Sequence, residues 1–518
     1  MAYVYLALPA VLFAVGWLKW WWLVAVLIGL GIGLWRMWRQ APKLWLPAIN
    51  RRTAAVALVG AGILALGVVF SGIGGISWQH GDHQWRNSIF EMLVTQPWPV
   101  VIETPAGAAA LTYYFGFWLP AALVGKAFGI GAGWAALLAW TWLGLAVFCC
   151  LVMGLLRRFA IWPVVLLAFF GGMDVVEKAV WGTLPDFRSG FASVEWIDDS
   201  FLYAYTAFGD QLTTVFNQAI PAWILTALVF AQRDSGSIIA LCALGAIECP
   251  LPVLGLGVIA VAWVVALRDN AETINALIGE GAGIDAPPGG GQVWARLRSA
   301  AIGALTVQNV LIGAISLVVF GPFFMSSLSV SEFTTHLPQD FMSLDRLVVF
   351  WLFEFGAMFA LVSPRLRRLP VWWAALATMV ILPLLRFGHF NDLAMRAVIP
   401  AQVALYLMVC WTLVAARRPW RSLQAATLVV VLVLGSGSVM HKIAFHGAAD
   451  YRAVQMIANG SAWRLARETL TSRLRTPWRQ GAAWREDTGD NVSFWRQYFG
   501  DLNSFFYSEM SRADQPSP

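Results

Sequence analysis

The chain has 518 residues, of which 59% are hydrophobic and 12% are charged, and its formal net charge is +6. Soluble globular proteins carry about a quarter charged residues, so this composition excludes an ordinary soluble protein. Most lysines and arginines lie in short stretches between apolar segments, as the positive-inside rule predicts, so the net charge does not indicate nucleic-acid binding. The five cysteines lie in apolar segments, without the spacing of a disulfide framework or a metal site.

The apolar runs predict an all-α, polytopic membrane protein with about twelve membrane segments, since about 20 apolar residues span a bilayer as a helix. The first run is too long for one helix and predicts two short helices that turn at Lys19. A third helix is predicted over 53–70, and a broken helix pair over 237–267 around Pro250, because proline interrupts helical hydrogen bonding. The other predicted crossings are 133–156, 159–173, 211–231, 299–323, 347–363, 370–385, 397–415 and 423–440.

Placing the basic segments in the cytoplasm predicts a transmembrane domain over 1–440 and an external C-terminal region over 441–518. A crossing at 111–129 would invert this alternation, and the tyrosines, tryptophan and lysine of that segment favour a helix lying in the external interface. The domain then has external loops at 74–130, which holds interfacial helices, and at 174–210, and a Gly- and Pro-rich, flexible cytoplasmic linker at 268–297.

Titratable groups gather on the predicted external side. Most of the acidic residues fall there, and so do all six histidines: His80, His83, His336, His389, His441 and His446. The predicted cytoplasmic loops are short and mainly basic. Because loops carry function when a rigid scaffold positions them, this distribution indicates an external site next to the membrane.

The first candidate constellation surrounds Asp82, where the first external loop meets a helix. An aspartate in this position can act as a general base towards a hydroxyl group. The neighbouring His80, His83 and Arg86 would hold it ionised or bind a phosphate. Alternatively, His80, Asp82 and His83 hold a divalent metal ion, or Asp82 only caps the helix that begins near Gln84.

The second constellation lies in the stretch 386–400, between two predicted crossings. Arg386 and Arg396 break the positive-inside pattern, and arginine beside apolar surface suits the phosphate of an anionic lipid. The alternative is a structural ion pair between Arg396 and Asp392, which have helical i,i+4 spacing. The full set of candidate binding residues here is Arg386, His389, Asn391, Asp392 and Arg396.

Acidic and aromatic residues also fill the stretch 173–210, which suits either a sugar or a simple covering loop. Within apolar runs, Glu248 and Glu354 stand out, because ionisable groups inside a membrane usually face a cavity or a partner. The chain contains neither a nucleotide-binding glycine motif in a strand–helix context nor a serine-hydrolase elbow.

Several short motifs, in order along the chain, resemble the GT-C superfamily of multi-pass glycosyltransferases. An acidic residue follows an early membrane helix in GDHQWRN, an interfacial segment ends in ALVGKAFG, and the next crossing closes with LLRRF. The chain is most similar to poorly characterised bacterial membrane proteins with the stretches WPV…YY…LPAALVGK…FG, ND…MR…IP and QYFG…SFF. It departs from many GT-C members in its extra N-terminal helix pair and in having a single acid, Asp82, where they have two.

The resemblance implies an inverting glycosyltransferase with a polyprenyl-phosphate sugar as donor and a glycan or other hydroxyl compound as acceptor. Asp82 would be the general base, Arg386 and Arg396 would bind the lipid phosphate, and His80, His83 and Arg86 would orient the base or the acceptor. The site would face the periplasm from a bacterial inner membrane, in contact with its lipids, with a divalent metal as the one optional cofactor. The alternatives are a transporter or flippase of lipid-linked sugars and a non-catalytic subunit of an envelope polysaccharide assembly.

Overall fold

The computed structural model describes residues 1–77, 79, 82–104, 107–182, 204–278, 293–328, 344–385, 391–416, 422–444, 447 and 498–513. Within these residues the chain is almost entirely helical, with one small sheet. Seven helices are long and apolar enough to span a membrane, or eight if one bent pair counts as a span. The all-helical membrane architecture expected from the sequence is therefore confirmed, whereas about twelve spans are not found among the described residues.

The chain begins with the predicted helical hairpin. Helix α1 covers Ala2–Trp17 and α2 covers Trp20–Arg39, with the turn at Lys19. Helix α3 covers Arg51–Phe70 and begins at a capping box. The Asn50 side chain accepts a hydrogen bond from the Thr53 amide at 3.0 Å, while the Thr53 hydroxyl accepts one from the Asn50 amide at 2.9 Å. This reciprocal pair fixes the start of α3 just after the basic segment.

The first long loop folds into short elements before the chain re-enters the bundle. These are α4 Asp82–Thr95, β1 Val101–Thr104, β2 Gly107–Leu111 and α5 Leu119–Phe128, followed by the long helix α6 Ile130–Leu156. With 10 residues, α5 is about 15 Å long, half the thickness of a bilayer core. Gly129, with φ 92°, reverses the chain between α5 and α6. The length of α5 agrees with the prediction that 111–129 does not cross.

The next part of the chain differs most from the predicted crossings. Its helices are α7 Trp162–Phe169, α8 Asp174–Val180, α9 Phe208–Thr214 and α10 Phe216–Ala231. The crossing predicted over 159–173 is not formed as one helix, because α7 has 8 residues, about 12 Å, and stops before Gly171 and Gly172. The crossing predicted over 211–231 is broken at Val215, where φ is −140°.

The broken helix pair predicted around Pro250 is confirmed. Helix α11 Ile238–Leu244 ends in a turn, and α12 Pro250–Val265 starts with the proline, whose missing amide costs nothing in the first turn. Helices α13 Leu267–Ile278, α14 Val293–Gly303 and α15 Val307–Ile315 follow. The described parts of the predicted linker 268–297 are thus helical, and residues 279–292 lie outside the described residues.

The remaining helices complete the bundle. They are α16 Gly321–Met325, α17 Leu344–Trp351, α18 Ala357–Leu366, α19 Pro370–Ile381, α20 Asp392–Ala397, α21 Ile399–Ala415 and α22 Leu423–Gly435, with π-helical turns at Ser316–Phe320 and Leu352–Gly356. The span of α20 and α21 is 94% buried inside the protein, whereas that of α3 is 17% buried. Helix α21 therefore lies in the centre of the bundle, and α3 lies at its periphery.

The described part of the C-terminal region, residues 498–513, returns to the membrane domain. Strand β3 Phe499–Gly500 pairs antiparallel with β2, which gives the sheet order β1-β2-β3. The Lys19 amide donates to the Met510 carbonyl at 2.8 Å, and the Lys19 ammonium donates to the Ser508 carbonyl at 2.7 Å. Phe506 and Tyr507 are fully buried. We call this part of the molecule, with the sheet, the Lys19 turn and α4, the sheet end.

Candidate functional site

The structure places Asp82 at the start of α4. It is the first residue of the helix, two positions before the predicted start. Its side chain and the residue His80 lie outside the described residues. The roles of Asp82 as general base, as helix cap or as part of a metal site therefore stay predictions.

The next turn of α4 packs against the start of α10. His83 is 1% exposed, and its ring stacks on Phe216 with a centroid distance of 6.4 Å. Arg86 donates from Nη1 to the carbonyl oxygen of Thr213 at 3.3 Å. Its guanidinium lies 5.9 Å from the centre of the Phe216 ring. These contacts direct the α4 residues that follow Asp82 towards the junction between α9 and α10.

Arg396 forms the ion pair that its spacing predicted. Its Nη2 lies 2.9 Å from Oδ1 of Asp392, and both side chains are mostly buried. Its Nη1 donates to the hydroxyl of Tyr114 at 2.5 Å. The buried Nε has no hydrogen-bond partner among the described residues. Since a guanidinium carries five N–H donors, the ion pair leaves Arg396 with capacity to bind a further acceptor.

Of the three remaining candidates of the stretch 386–400, the structure describes only Asn391. Asn391 is 1% exposed and precedes α20 with φ 53°, a left-handed conformation that asparagine adopts more readily than most residues. It therefore has a structural position at the start of the helix that carries Asp392 and Arg396. Arg386 and His389 lie outside the described residues.

Four aromatic side chains from three segments contact one another in a row beside Arg396, with one stacked and two tilted ring pairs. Ring centroids are 5.6 Å apart for Trp85 and Tyr498, 4.8 Å for Tyr498 and Tyr113, and 3.7 Å for Tyr113 and Tyr114. The Arg396 guanidinium lies 5.6 Å from the Tyr114 ring and ends the row. We call Trp85, Tyr498, Tyr113 and Tyr114 the aromatic row.

The two arginines act on the same phenol. Burial raises the pKa of Tyr114, while the positive charges of Arg396 and Arg86 lower it and the charge of Asp392 raises it. Burial also raises the pKa of Tyr113 well above its usual value, so both phenols are neutral at physiological pH and keep their protons for hydrogen bonding. Arg396 contacts Tyr114 directly, and Arg86 is near enough to influence the pKa of that phenol; we call Arg86, Arg396 and Tyr114 the anion site.

Four carboxyl groups of α8, α9 and the π-helical turn Leu352–Gly356 are buried inside the protein. Asp174, Glu177, Asp210 and Glu354 are all at most 3% exposed. Asp210 forms an ion pair with Lys442, with a distance of 2.5 Å between Oδ1 and Nζ. The Thr213 hydroxyl donates to the main-chain carbonyl oxygen of Asp210 at 2.8 Å, and the main-chain carbonyl of Thr213 accepts from Arg86. We call Asp174, Glu177, Asp210 and Glu354 the carboxyl cluster.

The aromatic row and the carboxyl cluster are not evident as units in the sequence. There, Tyr113 and Tyr114 are expected to be interfacial residues, and Glu354 is an isolated intramembrane acid. One signal of the aromatic row is present in the sequence: the stretches YY and QYFG, which contain three of its tyrosines, are among the motifs that resemble the GT-C superfamily. No local pattern, however, relates Tyr498 to Trp85 over a separation of more than 400 residues.

The arrangement is suited to bind an anion next to a ring-shaped or amphipathic group. Guanidinium groups bind phosphate through charge-assisted hydrogen bonds, and stacked aromatic rings offer an apolar face with polar edges. Among the residues that the structure describes, no group of three or more His, Cys, Asp or Glu residues is placed to hold a metal ion. Comparisons of the whole chain with protein-family models, with curated proteins and with solved structures give no match.

Proposed function

We propose that the protein is an inverting glycosyltransferase of the GT-C type, which transfers a sugar from a polyprenyl-phosphate donor to a hydroxyl acceptor. The reaction would take place at the sheet end, facing the periplasm of a bacterial inner membrane. One observation carries this proposal: Arg86 and Arg396, from opposite halves of the chain, act on one tyrosine at the end of the aromatic row.

The anion site supports binding of the donor phosphate. Asp392 and Tyr114 hold the Arg396 guanidinium in place, and its Nε–H has no partner among the described residues. Arg86 donates a hydrogen bond to the Thr213 carbonyl and lies over the Phe216 ring. Fixed cations in a site of low water content stabilise negative charge that develops on a leaving group. The departing lipid phosphate is such a group.

The aromatic row supports binding of the sugar. An aromatic face packs against the C–H groups of a sugar ring, while the phenol hydroxyls at its edge reach polar atoms. Because Arg396 ends the row, a sugar on the aromatic row and its phosphate in the anion site would be adjacent. This is the arrangement that a sugar phosphate requires.

Asp82 would supply the general base of the reaction. It lies one helical turn before Arg86 in α4, about 6 Å along the helix axis. The acceptor hydroxyl would give its proton to the Asp82 carboxylate, and its oxygen would form a bond to the anomeric carbon. The bond between the anomeric carbon and the phosphate oxygen would break at the same time, and the phosphate would leave with the electron pair. Attack opposite to the leaving group accounts for inversion.

The test uses the full-length protein in lipid vesicles, a radiolabelled polyprenyl-phosphate sugar and an envelope extract as the source of acceptor. Arg396→Gln removes a cation from the anion site, and we expect kcat/KM to fall by about 100-fold or more, as for loss of one oxyanion donor. Asp82→Asn should abolish transfer while leaving membrane insertion intact. The matched control is Arg296→Gln, which breaks another arginine–aspartate pair, with Asp269, and should leave activity within about twofold.

A second candidate function is a transporter or flippase of lipid-linked sugars. The carboxyl cluster favours it, because buried ionisable groups beside interrupted helices are typical of transporters. The same vesicles distinguish the two functions. Label that becomes bound to the acceptor supports the transferase, whereas label that crosses to the other leaflet without a covalent product supports transport and contradicts our proposal. A vesicle preparation that does neither also contradicts it and favours a non-catalytic subunit.

A further inference from the structure

The segment 40–50 joins α2 to α3 at the end of the bundle opposite the sheet end. Helix α2 begins next to the Lys19 turn and ends at Arg39, 20 residues and about 30 Å further on, which is the thickness of a bilayer core. Helix α6 ends on the same side, because a Cβ atom added to Gly154 in its last turn would lie 3.3 Å from the Leu44 Cβ atom. The segment 40–50 therefore lies at the level where the bundle leaves one face of a bilayer.

Seven basic residues lie in this segment and at the adjoining helix ends, in stretches of the chain that carry no acid. The sequence has no Asp or Glu over 1–81 and none over 104–173. None of the seven side chains forms an ion pair within the described residues, and six of them are exposed. We call these residues the basic patch: Arg36, Arg39, Lys43, Arg51, Arg52, Arg157 and Arg158.

The basic patch contains two arginine pairs, 51–52 and 157–158, at neighbouring ends of two packed helices. The first pair opens α3, whose start is fixed by its capping box. The second pair follows directly on α6, and both of its amides donate to carbonyl groups of the last turn of that helix. The Trp142 indole of α6 donates to the Ala61 carbonyl of α3 at 3.0 Å, so the two helices are in contact. The backbone therefore presents four guanidinium groups on one side of the bundle.

Exposed apolar and aromatic side chains alternate with these cations. Leu46 is 79% exposed, Ile49 is 99% exposed and Trp38 is 73% exposed. The Arg39 guanidinium lies over the Trp35 ring, 4.3 Å from its centre. Tryptophan beside arginine is typical of the headgroup level of a membrane, and apolar side chains of interfacial segments enter the adjoining acyl region. A soluble anion would contact the cations but leave Leu46 and Ile49 in water, so the combination favours a lipid.

We propose that the basic patch and the segment 40–50 bind anionic phospholipid in the leaflet opposite the sheet end. The lipid phosphate accepts charge-assisted hydrogen bonds from the guanidinium groups, while the acyl chains contact Leu46 and Ile49. Clusters of basic residues directly beside a membrane helix attract anionic headgroups in this way. The site lies at the other end of the bundle from the anion site and does not depend on the proposed transferase function.

The test is native mass spectrometry of the full-length protein in detergent, titrated with equal amounts of phosphatidylglycerol and phosphatidylcholine. The wild-type protein should bind phosphatidylglycerol at least about fivefold more tightly, which is the contribution of one basic residue near an anionic surface. The double variants Arg51→Gln/Arg52→Gln and Arg157→Gln/Arg158→Gln should each lose most of this preference. The matched control Arg367→Gln/Arg368→Gln removes two adjacent exposed arginines between α18 and α19 and should keep it.

Equal binding of both lipids by the wild-type protein overturns the proposal. Equal loss of preference in the control overturns it too, because attraction would then follow net charge alone. Displacement of phosphatidylglycerol by excess inorganic phosphate indicates a soluble-anion site and has the same consequence.

The apolar part of the site is tested with Leu46→Ser/Ile49→Ser, which leaves the charge unchanged. We expect weaker binding of phosphatidylglycerol, and unchanged binding contradicts the role of the segment 40–50. Intrinsic fluorescence verifies that the variants fold. If an arginine pair variant does not fold, Lys43→Gln decides, since this exposed residue lies outside the helices. It should lower the preference, and an unchanged preference overturns the proposal.

Discussion

At the scale of single residues, the chain buries charge in two different ways. Arg396 and Asp392 form an ion pair over 2.9 Å within one helix, so each of these charges has an oppositely charged partner. Glu177 forms no ion pair among the described residues. Burial and the negative charge of Asp174 raise the pKa of its carboxyl group to about 8. The stability of the folded protein therefore depends on pH through the protonation of Glu177.

We expect Glu177→Gln to change how stability depends on pH. Below about pH 4.5, the carboxyl group is protonated in both the folded and the unfolded protein. Between about pH 4.5 and 8, only the folded protein keeps the proton, so its stability falls as the pH rises through this window. The glutamine variant does not undergo this loss, and its Tm should exceed that of the wild type at pH 8 but not at pH 4.5.

Thermal unfolding followed by the fluorescence of the 29 tryptophans measures this difference. The control Glu509→Gln changes an exposed carboxylate and should unfold like the wild type at both pH values. A Glu177→Gln protein that is less stable than the wild type at pH 8 would show that the carboxylate is ionised and stabilising.

At the scale of elements, the C-terminal segment 498–513 completes the sheet end. Strand β3 adds two residues to the sheet, and this short pairing brings Tyr498 against Tyr113 and Trp85. The Lys19 turn holds the other end of the segment through two carbonyl groups. The aromatic row is therefore assembled only when the end of the chain has packed back onto its beginning.

We expect Gly500→Ala to displace this segment. A Cβ atom at this position would lie 2.3 Å from the Thr112 hydroxyl oxygen and 2.9 Å from the Ser326 carbonyl oxygen, so β3 must move. Overpacking of this kind typically costs about 1–3 kcal/mol. The Tm should fall, and transferase activity should fall further, because Tyr498 moves away from the aromatic row.

The matched control is Gly62→Ala in α3, where nothing lies within 4 Å of the added Cβ atom. It should unfold at the wild-type temperature or slightly above, since alanine favours the helix. Equal Tm values for Gly500→Ala and the wild type would mean that the sheet tolerates the added atom and that β3 is not tightly packed.

At the scale of the whole molecule, the apolar helices fall into two classes by length: helices long enough to span a membrane and helices too short to do so. Among the described residues seven helices reach spanning length, or eight with the bent pair, while four apolar helices are shorter: Ala2–Trp17, Gly116–Phe128, Phe216–Ala231 and Pro370–Leu384. Several of the shorter ones meet the loop elements of the sheet end. The bundle also contains the seven-residue helices α8 and α9, which place Asp174 and Asp210 inside it.

The proposed function requires the sheet end to face outwards, and cysteine labelling in intact cells tests this orientation. Asn503 lies at the sheet end and Arg51 at the start of α3, and both are exposed. We expect Asn503→Cys to react with a membrane-impermeant maleimide, and Arg51→Cys to react only after permeabilisation. Wild-type cells give the background from the native cysteines. The reverse labelling pattern would place the anion site in the cytoplasm.

The sequence by itself determined the features that depend on neighbours along the chain. Hydropathy and the position of Lys19 predicted the first hairpin, Pro250 predicted the broken pair, and i,i+4 spacing gave the ion pair of Arg396 as the alternative to phosphate binding. Each is a local property, because a helix forms or ends according to residues within one or two turns. The short α7 shows the limit of this reasoning, since an apolar run permits a crossing without requiring one.

Only the tertiary structure decided which side chains meet. Tyr498 joins Tyr113 and Trp85 because the C-terminal segment adds a strand to the sheet. Contacts of this kind depend on how apolar surfaces pack, and packing relates residues that are hundreds of positions apart. A linear pattern of hydrophobicity and charge fixes which residues are buried, but not which of them become neighbours.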